Sequence, residues 1–123
     1  VALLSKRGPG KLFLVTDAMA VAGTGAESFT LGGREILRRD GRLTLADGTL
    51  AGADISLPQS IRNLVQVVGL DLAAALAMAS AGPAAAVGLG GRAGHILPGR
   101  AADLVHLDED LGLAGVWRAG VAI

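Results

Sequence analysis

One apolar segment, Lys11–Asp17 with the sequence KLFLVTD, dominates the first part of this 123-residue chain. A continuous apolar run that ends in a polar pair is typical of a strand buried on both faces, as in parallel sheets. The small residues Ala18–Gly25 predict a loop after it. Parallel pairing requires a βαβ neighbour, and no second run of this kind occurs in the sequence. We therefore predict an α/β fold and expect the chain to be a piece of something larger.

The composition argues against several classes of partner. Eleven Lys and Arg residues balance eleven Asp and Glu residues, whereas phosphate binding by a nucleic-acid protein favours a basic excess. The absence of Cys excludes disulfides and thiolate metal sites. Two histidines alone, His95 and His106, cannot build an all-histidine catalytic metal site, and we interpret both as structural. No nucleic-acid partner is expected.

A membrane partner is also not expected. The longest weakly polar stretch, residues 72–89, is mostly Ala and is divided by Gly82-Pro83, which favours two buried helices over a membrane span. The opening Val1–Arg7 places its apolar part before its charges, the reverse of a signal peptide. The sequence thus predicts a soluble, cytoplasmic protein.

Short antiparallel strands are predicted after the first loop. Candidate strands are Phe29–Leu31, Arg34–Arg39 and Arg42–Leu45, and Asp40-Gly41 between the last two favours a tight hairpin. Four arginines cluster there, and we interpret them as a solvated edge that discourages aggregation. They are Arg34, Arg38, Arg39 and Arg42.

Two helices and a small β region are predicted in the second half. Ser56 caps the first helix, whose apolar stripe contains Ile61, Leu64, Val65 and Val68. Asp71 caps the second, whose stripe contains Leu72, Ala75, Leu76 and Ala79 before Gly82-Pro83 stops it. Strands are expected again at Asp103–Leu107 and within Leu113–Ile123.

The strongest candidate for chemistry is Asp17, at the carboxyl end of the predicted buried strand. Ligands and catalytic groups collect at such strand ends in parallel α/β proteins. A carboxylate there can bind a metal or act as a general base toward water, or it can merely cap the following turn. Asp47–Asp54 before the first helix can hold a polar ligand or simply form a turn and a cap.

Five motifs together resemble, in order and spacing, the C-terminal third of the N-acetylglucosamine-6-phosphate deacetylase family of the amidohydrolase superfamily. They are Leu14–Met19 (LVTDAM), Asp47–Gly52 (DGTLAG), Ile61–Val65 (IRNLV), Gly82–Ala84 (GPA) and Gly99–Val105 (GRAADLV). The resemblance implies the C-terminal part of a metal-dependent TIM (β/α)8 barrel hydrolase with strands of a small β-sandwich. Lys11–Thr16 would be the eighth barrel strand. Residues 1–93 would end the barrel with a hairpin insertion and flanking helices, and residues 94–123 would join the sandwich.

The resemblance also implies an activity, the hydrolysis of N-acetylglucosamine 6-phosphate to glucosamine 6-phosphate and acetate in amino-sugar catabolism. Asp17 would take a proton from a metal-bound water and return it to the leaving amine. Leu50, Ala51 and Gly52 match the segment that contacts the substrate, whereas Ala53 replaces the Ser common in the family. The partner would be a small phosphosugar, and the family allows a homo-oligomer.

The divalent metal that the resemblance implies, zinc or similar, would be bound by a Glu and two His on earlier strands. Those ligands are not in this chain, so we expect the chain alone to be inactive. Two alternatives remain open from the sequence. One is another amidohydrolase-superfamily hydrolase. The other is a non-catalytic module of strands and helices that binds a partner through an exposed apolar face.

Overall fold

A computed structural model describes residues 12–123 of the chain. These residues form strands and short helices in an α/β arrangement, and the chain divides into two compact units. One unit is Val15–Leu57, and the other comprises the described residues up to Leu14 together with Pro58–Ile123. The predicted boundary between residues 93 and 94 remains a prediction.

The unit Val15–Leu57 is built around a four-stranded antiparallel sheet. Its strands are β1 (Ser28–Leu31), β2 (Arg34–Arg39), β3 (Arg42–Thr44) and β4 (Leu50–Ala53), and their order in the sheet follows the sequence. The first three confirm the predicted strands. The sequence did not predict β4, because its small residues were interpreted as a loop that leads into a helix.

The β2–β3 connection is the tight turn that the sequence predicts. Asp40 and Gly41 have φ angles of 49° and 72°, both in the left-handed region that this kind of hairpin needs. The later turn at Asp47 is held by its own side chain, since the Thr49 N–H donates to Asp47 Oδ1 over 2.9 Å. That backbone hydrogen bond from Thr49 also lowers the pKa of the Asp47 carboxyl.

A small apolar core holds this unit together. Val21, Ile36 and Leu43 are buried, and four partly buried side chains pack against them: Met19, Phe29, Leu45 and Ala51. Ile36 lies on β2 and Leu43 on β3, so one face of the sheet carries the core. The turn that follows Asp17 contributes Val21 and covers that face.

The second unit combines helices with a three-stranded antiparallel sheet. The helices are α1 (Leu57–Arg62), which continues as a π-helical segment (Asn63–Val67), α2 (Leu72–Ala79) and α3 (Ala81–Ala86). The strands are β5 (Leu104–Leu107), β6 (Leu113–Arg118) and β7 (Val121–Ala122). The core of this unit contains Ile61, Leu70 and Ala75. The two predicted helices correspond to α1 with its π-helical continuation and to α2, and the terminal β region was predicted as well.

The apolar stripes of the helices differ from the predicted ones. Val68 is exposed because its N–H donates to the Asn63 carbonyl, five residues back, and this wider turn rotates it away. In α2 the fully buried residue is Ala75, whereas Leu72 and Leu76 are exposed. The helix α2 ends at Ala79, before the predicted stop at Gly82-Pro83, and Pro83 lies in the first turn of α3, where its missing N–H costs no hydrogen bond.

Over residues 12–16, the predicted strand Lys11–Thr16 does not form in this structure. Residues 12–19 form neither helix nor strand, and Lys11 lies outside the described residues. The backbone is held at Leu14, whose N–H donates to the Met78 carbonyl over 2.8 Å. Val15 is 72% exposed, so the segment is not buried on both faces either. A strand forms only beside another strand, and no parallel neighbour occurs among the described residues.

Within residues 12–123, no helix has both the length and the apolar character that crossing a bilayer requires.

The N-terminal cap of α2 offers a direct test of the second unit. The Ala74 N–H donates to Asp71 Oδ2 over 3.1 Å, which satisfies one free donor of the first turn. Asp71→Ala should lower the free energy of unfolding by about 1 kcal/mol, measured by denaturant titration. Glu109→Ala, at an exposed turn position, is the control and should change it little. Equal losses in the two variants would show that the cap does not stabilise the helix.

Candidate functional site

The four candidate site residues, Asp17 and Leu50–Gly52, lie in the unit Val15–Leu57. Although they are far apart in sequence, the backbone of Asp17 lies against β4. The Ala53 N–H donates to the Asp17 carbonyl oxygen over 3.4 Å. The residues that the resemblance singles out are therefore neighbours in space within one compact unit.

Gly52 is buried at the closest approach between the two segments. A Cβ atom at this position would lie 2.9 Å from the sulfur of Met19 and 3.1 Å from the carbonyl oxygen of Asp17. An added Cβ would require the Met19 side chain to move and the Asp17 carbonyl to shift by a few tenths of an ångström. The structure thus gives Gly52 a reason for its identity that is independent of substrate contact.

This close approach predicts the effect of a single added methyl group. Gly52→Ala should lower the free energy of unfolding by about 1–3 kcal/mol, because the new Cβ must displace Met19 or the Asp17 backbone. Denaturant titration measures the loss. Gly25→Ala is the matched control, since a Cβ atom added there would meet nothing within 4 Å and the φ of Gly25 is not positive. Similar stabilities for the two variants would contradict the crowding at Gly52.

The Asp17 side chain is exposed, and its backbone is unusual. Its φ angle is 53°, in the left-handed region where residues other than glycine are uncommon but Asp is among the better tolerated. The Ala18 N–H donates to Thr16 Oγ1 over 3.2 Å, which shapes the turn next to it. Such backbone conformations cost about 1–3 kcal/mol and cluster at functional sites. The Asp17 carboxylate is therefore exposed to solvent, on a turn that the surrounding contacts hold in place.

The three β4 residues present different groups. The Leu50 side chain is 67% exposed and can contact a ligand. The Ala51 side chain packs on the core, so its backbone is the part suited to contact a ligand. In the described residues β4 is an edge strand of its sheet. An edge strand offers backbone donors and acceptors to a bound molecule.

Sequence reasoning missed Arg38 as a part of this region. Arg34, Arg39 and Arg42 are exposed, as predicted, but the Arg38 side chain is only 20% exposed. Its Nη1 donates to the Thr24 carbonyl over 2.8 Å and its Nη2 to the Val21 carbonyl over 2.7 Å. The interpretation of all four arginines as a solvated edge is therefore wrong for Arg38. The two-residue period of β2 could have found it, because Arg38 shares the face of Ile36.

Arg38 also meets Asp54, the residue directly after β4. Its Nε lies 3.0 Å from Asp54 Oδ2. The buried Nε–H makes no aligned hydrogen bond with any described residue, so this contact is an ion pair by proximity. Both side chains are partly shielded from water, with 20% and 28% of their surface exposed, which reduces the screening of their attraction.

The described residues do not fit a metal centre. Residues 12–123 contain no group of three or more His, Cys, Asp and Glu side chains placed to hold an ion, and residues 1–11 contain none of these residue types. His106 instead lies near Trp117, with ring centroids 6.4 Å apart, and His95 is exposed. The interpretation of both histidines as structural stays a prediction.

Proteins similar to this chain include sugar-phosphate deacetylases. An N-acetylgalactosamine-6-phosphate deacetylase of Escherichia coli O157:H7 is 37% identical over 110 residues, covering 89% of this chain and 29% of its own length. An N-acetylglucosamine-6-phosphate deacetylase of Haemophilus influenzae is 42% identical over 96 residues, covering 76% of this chain and 25% of its own. The chain thus spans about a quarter to a third of the length of these two relatives.

A solved structure gives the same picture. A variant of the N-acetyl-D-glucosamine-6-phosphate deacetylase from Mycobacterium smegmatis, in complex with N-acetyl-D-glucosamine-6-phosphate, matches 98% of this chain with a TM-score of 0.84. The two are 35% identical, and the match covers 32% of the Mycobacterium chain. These findings confirm the resemblance to the deacetylases that the five sequence motifs indicate. Residues 11–122 match the amidohydrolase family, and the chain therefore belongs to the amidohydrolase family.

Proposed function

We propose that this chain serves in an N-acetylglucosamine-6-phosphate deacetylase, which hydrolyses N-acetylglucosamine 6-phosphate to glucosamine 6-phosphate and acetate. One observation carries the proposal. The exposed carboxylate of Asp17 lies on a turn joined by backbone to the Leu50–Ala53 strand, in a chain whose relatives include deacetylases of this name. The two segments match the family motifs for proton transfer and for substrate contact.

The chemistry of amide hydrolysis suits a single exposed carboxylate. The attacking water must lose a proton, and the departing amine must gain one before the C–N bond breaks. A carboxylate oxygen of Asp17 can accept the first proton and return it to the amine nitrogen. We assign that role to Asp17. The exposed Leu50 side chain and the backbone of Ala51 and Gly52 would contact the phosphosugar beside it.

The rest of the proposed enzyme lies beyond what these residues supply. Amidohydrolases generally depend on metal, but the described residues provide no ligand set, so a divalent ion, zinc or similar, would be held by other polypeptide. A TIM barrel takes about 250 residues. We propose that residues 1–93 complete such a barrel and residues 94–123 a β-sandwich. A homo-oligomeric assembly and a cytoplasmic location belong to the same proposal.

A second substrate is favoured by a specific observation. The Escherichia coli relative is an N-acetylgalactosamine-6-phosphate deacetylase, with 37% identity over 110 residues. The two amino sugars differ only in the configuration at C4, so the same proton transfers would serve both. The discriminating contact is to the C4 hydroxyl, and a decisive assay therefore includes both sugars.

The proposal predicts different results for the chain alone and for the chain within a complete enzyme. Purified chain with added Zn²⁺, Mn²⁺ or Co²⁺ should release no acetate from either phosphosugar. A chimera in which this chain replaces the matching segment of the Mycobacterium smegmatis deacetylase should release acetate from N-acetylglucosamine 6-phosphate. Acetate release is followed by a coupled assay, and circular dichroism establishes that the chimera folds.

Each outcome of this experiment has a defined meaning. Acetate release by the isolated chain would overturn the view that other polypeptide must hold the metal. A folded chimera that turns over neither sugar would overturn the assigned role of the whole segment. Faster turnover of the galactosamine derivative would move the substrate assignment to the second candidate.

A further inference from the structure

We infer that Arg38 is a positioning residue, which fixes Asp17 relative to the Leu50–Gly52 strand by tying the turn after Asp17 to Asp54. The inference rests on the proposed role of Asp17 in proton transfer. Arg38 lies on β2, outside all the motifs that carry the family resemblance. Its importance follows from the contacts of its guanidinium group alone.

The guanidinium joins two segments that are separate in sequence. On one side it donates to the carbonyls of Val21 and Thr24, in the turn that follows Asp17. On the other side its Nε lies 3.0 Å from Asp54, which follows β4. The planar fork of arginine can donate to both carbonyls while its charge lies beside the Asp54 carboxylate, which the single ammonium of lysine cannot do with the same geometry.

The Val21 carbonyl is the anchor on the turn side. Besides Nη2 of Arg38, it accepts hydrogen bonds from the Thr24 N–H over 3.0 Å and from Thr24 Oγ1 over 2.9 Å. The Val21 side chain is 2% exposed and packs in the core with Ile36 and Leu43. The turn is therefore held in place at Val21, to which Arg38 binds. The Arg38 hydrogen bond can thereby fix the position of the residues that precede Val21.

Together with a backbone contact of Asp17, these contacts attach the turn to the sheet at both of its ends. The turn is attached to the sheet at its start, where the Ala53 N–H donates to the Asp17 carbonyl, and at its end, where Arg38 binds Val21 and Thr24. The first attachment is long for a hydrogen bond, at 3.4 Å, and is weak on its own. Charge-assisted hydrogen bonds such as those of Arg38 are stronger, so Arg38 supplies the firmer attachment.

The test compares Arg38→Lys with Arg39→Gln in the full 123-residue chain by NMR. Lysine keeps the positive charge near Asp54 but cannot hold both carbonyls. Arg39 is the exposed neighbour on the same strand and serves as the matched control. Two signals report on the site: the strong intraresidue HN–Hα Overhauser effect of Asp17, which marks its positive φ, and hydrogen exchange of the Ala53 amide.

A third signal separates positioning from general destabilisation. The Leu45 N–H donates to the Thr49 carbonyl over 2.9 Å in the same unit, and neither residue is a hydrogen-bond or ion-pair partner of the Arg38 guanidinium. In Arg38→Lys we expect hydrogen exchange of the Ala53 amide to accelerate about tenfold and the intraresidue Overhauser effect of Asp17 to weaken. Hydrogen exchange of the Leu45 amide should stay unchanged. Arg39→Gln should leave all three signals unchanged. Asp54→Asn, which removes only the ion pair, should give a smaller change at Ala53.

Other results would overturn the inference. Equal acceleration at Ala53 and Leu45 would mean that Arg38 only stabilises the unit as a whole. Unchanged Asp17 and Ala53 signals in Arg38→Lys would mean that it positions nothing. If the Mycobacterium chimera carrying Asp17→Asn kept its full rate, the proposed function would fail while the NMR result stood. The two failures are therefore distinguishable.

Discussion

Asp17→Asn in the Mycobacterium smegmatis chimera should lower kcat for acetate release by about 10²- to 10⁴-fold, the usual contribution of a positioned general acid–base. Asparagine has nearly the same size and is also tolerated at positive φ, so the turn should persist. Its carboxamide, however, cannot accept a proton from water or return one to the amine. KM should change little, because the lost interaction is made in the transition state rather than in the bound substrate.

Asp40→Asn is the matched control for this substitution. Asp40 is also exposed and also has a positive φ, 49°, but it lies in the β2–β3 turn and outside the five family motifs. Its replacement makes the same chemical change in the same backbone conformation and should leave kcat unaffected. Comparable rates for the Asp17 and Asp40 variants would remove Asp17 from the proton-transfer role.

Local signals in the sequence predicted local structure well. Asp40-Gly41 identified the hairpin because both positions must adopt positive φ, a requirement that few residue pairs meet. Asp71 identified the start of α2 because its side chain bonds the free N–H of Ala74. Each of these signals depends only on residues within a few positions of one another, so the pattern contains all the necessary information.

Signals that depend on distant partners were less informative. The run Lys11–Thr16 has the composition of a buried strand, but strand formation depends on a neighbour that composition does not reveal. The buried face of α2 differs from the predicted apolar stripe because alanine dominates the helix. When small apolar side chains lie all around a helix, the hydrophobic pattern specifies the buried face weakly, and Ala75 rather than Leu72 is buried.

The candidate site shows the same division. The family resemblance singled out both Asp17 and Leu50–Gly52. The structure shows that the two segments lie close together, through the crowding at Gly52 and the hydrogen bond of Ala53. The contacts of Arg38 could not be predicted from sequence motifs, because its three partners are spread from Val21 to Asp54. Strand periodicity places it on the core face, but only the three-dimensional contacts reveal what it binds.

The integrity of the site should depend most strongly on Leu43. This side chain is 1% exposed, packs with Val21 and Ile36, and belongs to the strand β3 directly opposite Gly52. Leu43→Ala should lower the free energy of unfolding by about 2–5 kcal/mol, because it removes buried methyl groups and leaves a cavity that the strands cannot close. Denaturant titration of the full chain measures the loss.

Leu31→Ala is the control for that measurement, because Leu31 is 55% exposed on β1 and its truncation should cost about 0.5 kcal/mol or less. The cavity should also reach the site, since Val21 anchors the turn after Asp17 and Gly52 faces Leu43 across the ladder. Exchange at the Ala53 amide should therefore accelerate in Leu43→Ala and not in Leu31→Ala. If the two truncations cost the same, the Val21–Ile36–Leu43 cluster is not the core that supports the turn after Asp17, and the Arg38 contacts hold that turn without it.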